Sequence, residues 1–137
     1  MRTALILEDD VSNMQAFSAI LWSASFKVLE ATSGDEAVEI GKGNRDTLDL
    51  LLSDVVVPQR SGTEVALELI AIHPTMAILF VTGTPLERWN NRDRNNVSRL
   101  ISHSVDVLVK PFRPAALMEK IDKLLRVVAC PMPLRVG

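Results

Sequence analysis

Residues 48–57 read LDLLLSDVVV, and this run decides the fold class. A strand with one wet face alternates apolar and polar residues, whereas a parallel strand covered on both faces is apolar almost throughout. Pro58 follows the run and ends it, since proline cannot donate to a sheet ladder. The stretch therefore predicts a central parallel strand that leaves one acid, Asp54, at its carboxyl end.

Further strands, and helices between them, are predicted from hydrophobic spacing. The strands are residues 3–7, 26–31, 105–109 and a stretch within 76–83. Helical patterns cover 11–24, 63–72, 115–128 and a segment from Ser33 to about Gly41 or Gly43, where Ser33 and Glu36 predict a reciprocal capping box. A helix within 86–104 has no clear bounds, because four Asn residues weaken it. With right-handed crossovers, this predicts an α/β fold, a five-stranded parallel sheet in a three-layer α/β/α sandwich.

Composition limits the class of protein. The 137 residues, 47% of them hydrophobic, suit one compact domain, and the net charge of −2 argues against direct nucleic-acid binding or a polybasic membrane patch. We expect no signal peptide, because acids follow Arg2 within a few residues, and no membrane-spanning segment, because no apolar stretch is long enough to cross a bilayer. A single cysteine, Cys130, excludes an intrachain disulfide and is expected to be a bystander thiol. We therefore expect a cytoplasmic protein.

Polar residues follow the strands at one edge of the predicted sheet. Glu8 and Asp9 follow the first strand, Asp54 the third, Thr82 the fourth and Lys110 the fifth. Ligands of open parallel sheets bind beyond the carboxyl ends of the strands. These side chains are therefore expected to converge.

The residue types at this edge suit phosphoryl chemistry. Gathered carboxylates repel one another unless a cation neutralises them, and oxygen ligands suit Mg²⁺. Lys110 supplies a positive charge and Thr82 a hydroxyl donor, both of which can bind phosphoryl oxygens. Asp54 is the best candidate nucleophile because it stands alone at the centre of the edge, whereas the first-strand pair is better placed to hold metal.

The four motifs resemble those of a receiver domain of two-component response regulators. The acidic pair lies in LILEDD at 5–10, the phosphoacceptor strand and loop in LLLSDVVVPQRSG at 50–62, the threonine strand in FVTG at 80–83 and the lysine strand in VLVKPF at 107–112. The likeness covers about residues 1–126. It implies a receiver domain of flavodoxin-like topology over residues 1–126. Residues 127–137 are expected to be a short tail and not an output domain, because they are too few to fold alone, so the chain is either a single-domain regulator or part of something larger.

The resemblance also implies roles. Asp54 would accept a phosphoryl group from a sensor histidine kinase or a histidine phosphotransfer protein, as a stoichiometric phosphoacceptor that assists its own phosphorylation and dephosphorylation, not as an enzyme. Mg²⁺ would be held by Asp9 directly, by Glu8 mainly through water, by Asp54 and by the backbone carbonyl of Val56.

The remaining implied features lie on the last two strands. Thr82 and Lys110 would bind the phosphoryl oxygens, and the Lys110–Pro111 bond would be cis. A downstream protein of unknown identity, or a second copy of the chain in a homodimer, would bind the face of the fourth helix, fifth strand and fifth helix.

Functions of other classes fit the residues less well. A phosphatase of the haloacid dehalogenase type needs an acid two residues after the nucleophile, where Val56 stands. A flavin-binding protein of similar fold would not place the acids Glu8 and Asp9 beside a phosphate. A receiver-like interaction module whose contacts no longer depend on phosphorylation stays open.

One position departs from the receiver pattern, and it affects how a signal would leave the site. Many receivers carry Tyr or Phe three residues before the lysine, and Val107 stands there. We expect residues 84–104 to form a switch and partner surface instead, with a static solvated face as the alternative. That surface would include Trp89, Arg88, Arg92, Arg94 and Arg99. His73 and His103 lack metal-ligand spacing and are expected at the surface or its boundary.

Overall fold

The computed structural model describes residues 1–44 and 46–129, and within them one parallel sheet of five strands forms. The strands are β1 (Thr3–Leu7), β2 (Lys27–Ala31), β3 (Leu50–Ser53), β4 (Ala77–Thr82) and β5 (Val105–Val109). Their order across the sheet is β2-β1-β3-β4-β5. The predicted α/β fold of flavodoxin-like topology is confirmed, and its switch point lies between β1 and β3.

The helices are α1 (Val11–Ser23), α2 (Gly34–Gly43), α3 (Gly62–Ile70), α4 (Asn91–Ser98) and α5 (Pro114–Ala129). The poorly bounded segment becomes a 3₁₀ turn at Leu86–Arg88 followed by the short α4, whose first turn is capped by the side chain of Asn90. Because α5 is described to Ala129, the predicted tail boundary stays a prediction, and Cys130 lies outside the described residues.

Helices cover both faces of the sheet, which explains the continuous apolar runs. On β1, Ala4 and Ile6 pack against the layer of α1 and α5, whereas Leu5 and Leu7 pack against the layer of α2 and α3. All four side chains are fully buried. Full burial of a large aliphatic side chain contributes about 1.5–3 kcal/mol. Both faces of β1 therefore contribute to stability and fix the register of the strand.

The capping prediction at α2 is half correct. Ser33 accepts a hydrogen bond from the backbone N–H of Glu36 at 3.2 Å, but the Glu36 carboxylate accepts from the N–H of Thr32 at 2.7 Å and not from that of Ser33. Thr32 also donates its hydroxyl to the same oxygen at 3.2 Å, so the carboxylate gains two donors by reaching one residue further back. The complete capping box lies at the start of α3, between Ser61 and Glu64.

The expectation for His73 is wrong. Its side chain is buried, its Nδ1 accepts a hydrogen bond from the backbone N–H of Leu48 at 3.2 Å, and its Nε2 donates to the carbonyl of Gly41 at 2.9 Å. Both ring nitrogens are therefore satisfied, and the imidazole joins the end of α2 to the segment that leads into β3. His103 is half-buried, as expected for a boundary residue.

Candidate functional site

Parallel pairing brings the predicted site residues to one edge of the sheet. β3 is central, with β1 on one side and β4 on the other, and Leu7 pairs with Ser53 at the end of both strands. Glu8 and Asp54 are the residues that follow those strand ends. β5 lies beside β4, and the backbone N–H of Lys110 donates to the carbonyl of Thr82 at 2.8 Å.

The ammonium group of Lys110 lies between two carboxylates. Its Nζ is 3.2 Å from Asp54 Oδ2 and 3.3 Å from Glu8 Oε1. The side chains of Glu8, Asp54 and Lys110 are 2%, 14% and 24% exposed, so water screens these charges poorly. The structure therefore joins residues 8, 54 and 110 in one ionic group, as the sequence predicted. The Lys110–Pro111 peptide bond is cis, which confirms that expectation.

Two pKa shifts describe the electrostatics of this group. Burial raises the pKa of Glu8, and the charge of Asp54 raises it further, while the Asp10 backbone N–H and Lys110 only partly offset these effects. Burial by itself lowers the pKa of Lys110, but the carboxylates of Asp54 and Glu8 more than compensate, so the pKa is raised. Lys110 is therefore firmly cationic at neutral pH, and the group still carries more negative charge than one lysine neutralises.

The two oxygens of Asp54 have different surroundings. Oδ1 accepts hydrogen bonds from the backbone N–H groups of Val55 at 2.6 Å and Val56 at 3.3 Å. Oδ2 faces Lys110. Oδ1 is thus held by the main chain, and Oδ2 is the oxygen that stands next to the cation.

Gly62 makes room for the backbone of Asp54. A Cβ at residue 62 would lie 2.0 Å from the Asp54 carbonyl oxygen and 2.5 Å from the hydroxyl oxygen of Ser53. The N–H of Gly62 also donates to the Val55 carbonyl at 2.9 Å. The first residue of α3 therefore packs directly on the main chain that carries the acid.

Thr82 is present at the edge, but its hydroxyl is engaged locally. The residue is 2% exposed, and its Oγ1 accepts a hydrogen bond from the N–H of Thr84 at 3.2 Å. Its link to Lys110 runs through the main chain. The structure therefore brings Thr82 next to the ionic group without a side-chain contact to Asp54 or Lys110 among the hydrogen bonds of the described residues.

The acids partly fit a magnesium ion. In residues 1–44 and 46–129, no three carboxylate, imidazole or thiol side chains are gathered as a metal-binding group. Asp9 is exposed, and Lys110 stands between the other two acids. The donors are nevertheless oxygens, the type that Mg²⁺ prefers, and the carboxylates of Glu8 and Asp54 share the single ammonium group of Lys110. Residues 8, 9 and 54 and the carbonyl of Val56 thus suit Mg²⁺ chemically.

Asp10, the third acid of the run, lies outside the ionic group. Its Oδ1 accepts a hydrogen bond from the N–H of Asn13 at 2.9 Å, which makes it the N-cap of α1. Asp10 therefore caps a helix and is not a member of the ionic group.

Trp89 is not part of an exposed partner surface, contrary to expectation. It is 7% exposed, stands edge-on to Phe80 with ring centroids 5.9 Å apart, and donates its indole N–H to the carbonyl of Thr84 at 2.8 Å. A buried indole ring stabilises the fold more than an exposed one, provided that its N–H donates a hydrogen bond. The ring lies in the same packed layer as the half-buried Val107.

Sequence reasoning also missed a buried polar contact between α3 and α4, formed by Ser61, Thr63, Asp93 and Asn96. The capping box of α3 was the one local signal for it, but its pairing with α4 spans about thirty residues of sequence. Such a contact exists only once the helices are packed.

No helix in the described residues is long and apolar enough to cross a membrane.

Comparisons with known proteins show the family to which the chain is similar. The family model described as response regulator receiver domain matches residues 4–122. A cyclic di-GMP phosphodiesterase of Thermotoga maritima is 31% identical over 125 residues, which cover 90% of this chain but only 31% of that protein. The response regulator receiver protein CpdR of Brucella abortus is 29% identical over 126 residues, which cover 91% of this chain and 98% of that one. The solved receiver domain of the hybrid histidine kinase CckA is 27% identical with a TM-score of 0.71, over 90% of this chain and 98% of that chain.

Proposed function

The chain belongs to the response regulator receiver domains, and we propose that it accepts a phosphoryl group on Asp54 from a phosphohistidine donor and relays this event through a conformational change. The observation that carries the proposal is the position of Lys110 between Asp54 and Glu8. A half-buried cation beside a carboxylate nucleophile is suited to the negative charge that a transferring phosphoryl group brings.

The proposed step uses Asp54 Oδ2. This oxygen forms the new O–P bond while the N–P bond of the phosphohistidine donor breaks. The electron pair of the broken N–P bond stays on the imidazole nitrogen of the donor. Oδ1 is held by Val55 and Val56, which fixes the orientation of the carboxylate during the attack. Lys110, already 3.2 Å from Oδ2, would bind a phosphoryl oxygen, and the hydroxyl of Thr82 would donate to another.

Magnesium completes the proposal. Asp9 and Asp54, with the carbonyl of Val56 and with Glu8 through water, would hold Mg²⁺, which supplies positive charge to phosphoryl oxygens. Two carboxylates, those of Glu8 and Asp54, face the single positive charge of Lys110 at this edge, so a further cation would improve the charge balance. We expect Asp9→Ala to weaken Mg²⁺ binding in a titration, since it removes the exposed acid at this edge.

The proposed partners follow from the same assignment. We infer that the donor is a sensor histidine kinase or a histidine phosphotransfer protein and that the site operates in the cytoplasm. A downstream protein, or a second copy of the chain, would bind the face of α4, β5 and α5, where Ile101 is 80% exposed and Val109 is 40% exposed. The net charge of −2 gives no support for direct nucleic-acid binding.

An alternative is an interaction module that works without phosphorylation. Val107 favours it, because this side chain has no ring that could turn inward and carry a signal from the site. Under this alternative the Asp54–Lys110 pair would be a structural ion pair.

Phosphorylation of defined variants separates the two functions. The chain is incubated with acetyl phosphate and Mg²⁺, and intact mass is recorded for the unchanged protein, for Asp54→Asn and for Asp46→Asn, an exposed acid outside the site. We expect one added phosphoryl group on the unchanged protein and on Asp46→Asn, and none on Asp54→Asn. Equal labelling of the Asp54 variant would refute the acceptor assignment, and no labelling of any protein would favour the interaction module.

A further inference from the structure

A buried polar cluster joins the start of α3 to the start of α4. Asp93 is 5% exposed, and its Oδ1 accepts hydrogen bonds from the hydroxyls of Ser61, at 2.7 Å, and Thr63. Asn96 donates its side-chain amide to Thr63 Oγ1 at 3.1 Å. We refer to Ser61, Thr63, Asp93 and Asn96 as the α3–α4 cluster.

Asp93 is held by neutral donors. The ion pairs found within the described residues do not include its carboxylate, and the neighbouring Arg92 points towards Glu64, with 3.9 Å between the charged atoms. Asp93 lies in the first turn of α4, where backbone N–H dipoles favour an anion. A buried carboxylate that depends on two hydroxyls is sensitive to their positions, because a lost partner leaves it unsatisfied. The hydrogen bonds of the α3–α4 cluster therefore hold the start of α4 in a defined position relative to the start of α3.

The α3 side of the cluster lies against the proposed acceptor. Ser61 and Thr63 flank Gly62, and Gly62 is the residue whose missing Cβ leaves room for the Asp54 carbonyl. The two backbone segments are in close contact, since a Cβ at residue 62 would lie 2.0 Å from the Asp54 carbonyl oxygen. A shift of residues 61–63 towards β3 would therefore press on the main chain of Asp54.

The start of α4 has a second connection to the site. Trp89 immediately precedes the N-cap Asn90, and its indole N–H donates to the Thr84 carbonyl at 2.8 Å. The N–H of Thr84 donates in turn to the hydroxyl of Thr82 at 3.2 Å. The first turn of α4 is thus tied towards Asp54 by one route and towards Thr82 by the other.

We infer that Asp93 is a positioning residue for phosphoryl acceptance, which holds residues 61–63 against the main chain of Asp54 and thereby couples α4 to the acceptor. This inference rests on the proposed function of Asp54. Coupling between two sites is reciprocal in free energy, so a partner bound at α4 would change ligand affinity at Asp54 by the same factor as the ligand changes that partner's affinity.

The test measures the affinity of beryllofluoride, a phosphoryl mimic, in the presence of Mg²⁺. Trp89 fluorescence is the signal, recorded in a Trp22→Phe background because Trp22 is 57% exposed and would obscure it. Asp93→Ala and Thr63→Val each remove part of the cluster, since the first removes the Oδ1 acceptor and the second the Thr63 hydroxyl donor. We expect each to weaken beryllofluoride binding about fivefold or more and to reduce the Trp89 response. The double variant should bind no more weakly than the weaker single variant, because both changes break the same hydrogen bond.

Ser18→Ala is the matched control. Ser18 is 7% exposed and donates to Glu30, so the change also removes a poorly exposed hydroxyl contact, but between α1 and β2. It should lower the urea midpoint and leave the beryllofluoride affinity unchanged.

The outcomes separate this inference from the proposal on which it rests. Affinities within about twofold of the unchanged protein, with only a lower urea midpoint, would make the cluster a structural tie and overturn the inference alone. Absence of any beryllofluoride and Mg²⁺ response in the unchanged protein would overturn the proposed function as well. If Asp93→Ala does not fold, Thr63→Val, which leaves the Ser61 hydroxyl in place, decides the question.

Discussion

Replacement of Lys110 by methionine tests the electrostatic basis of the site. Methionine keeps most of the length of the side chain and removes the charge that lies 3.2 Å from Asp54 and 3.3 Å from Glu8. Two poorly exposed carboxylates then remain without their cation. We expect the Lys110→Met variant to be less stable at neutral pH in a buffer free of divalent cations.

The size of the effect follows from burial. Removing one partner of a buried ion pair costs about 3–5 kcal/mol. Because Lys110 keeps 24% and Asp54 14% of their side-chain exposure, the lower end of the range, about 3 kcal/mol, applies. For a urea dependence of about 2 kcal/mol per molar, the unfolding midpoint should fall by about 1.5 M.

The pH dependence distinguishes charge from packing. Lys110 lowers the pKa of Glu8, so its removal raises that pKa further. An acid with a raised folded-state pKa stabilises the fold below its unfolded pKa, and this contribution is lost as the pH rises through the folded value. The variant should therefore approach the unchanged protein below about pH 4 and differ most above neutrality. In the unchanged protein, the pKa of Lys110 is raised in the folded state, so its charge stabilises the fold up to alkaline pH. This contribution is lost as the pH rises through the folded-state pKa of Lys110.

The assay is urea unfolding of the unchanged protein, Lys110→Met and Lys123→Met, an exposed lysine on α5, at several pH values. Adding Glu8→Gln to Lys110→Met should restore part of the lost stability, since one of the two carboxylates is then neutral. Millimolar Mg²⁺ should also stabilise Lys110→Met more than the unchanged protein. A variant with the same midpoint as the unchanged protein at pH 7, or with a loss independent of pH, would refute the reasoning.

Three other predictions address the acceptor loop and the segment beyond β4. Gly62→Ala should lower the free energy of unfolding by about 1–3 kcal/mol in urea titrations, because its Cβ meets the Asp54 carbonyl, whereas Gly43→Ala, with open space around residue 43, should not. Val56→Asn should shorten the lifetime of the phosphorylated form, followed by intact mass after donor removal, because the exposed valine cannot position a water; an unchanged lifetime contradicts this. Beryllofluoride should alter hydrogen exchange in residues 84–104, and changes confined to the loops bearing Asp9, Asp54 and Lys110 would argue against a switch there.

The sequence was sufficient for the architecture because the physical signals are local and repeated. The run around Leu50–Ser53 has no polar alternation, so its strand needed cover on both faces, and the structure shows helices on both. The same logic located the site, since parallel strands bring their carboxyl ends to one edge. Glu8, Asp54 and Lys110 meet there as predicted, although 102 residues separate the first from the last.

Tertiary structure decided what the side chains beyond the strand ends do. Trp89 stands in a polar stretch that suggests a solvated surface, yet packing against Phe80 and an acceptor at Thr84 make burial favourable. The sequence near His73 and Asp93 likewise offers no hydrogen-bond partner for either side chain, which is typical of surface residues. The partner of His73 at Gly41 comes into reach only when the helices pack. The same holds for the partners of Asp93 at Ser61 and Thr63, which depend on the packing of α3 and α4. Hydrophobic periodicity determines which face of an element is buried, whereas a buried polar group depends on single atoms from distant segments meeting within about 3 Å. The sheet and its ionic edge were therefore determined by the sequence pattern, and its strand order was implied by the receiver resemblance. The polar connection from α4 to the acceptor was decided by three-dimensional packing.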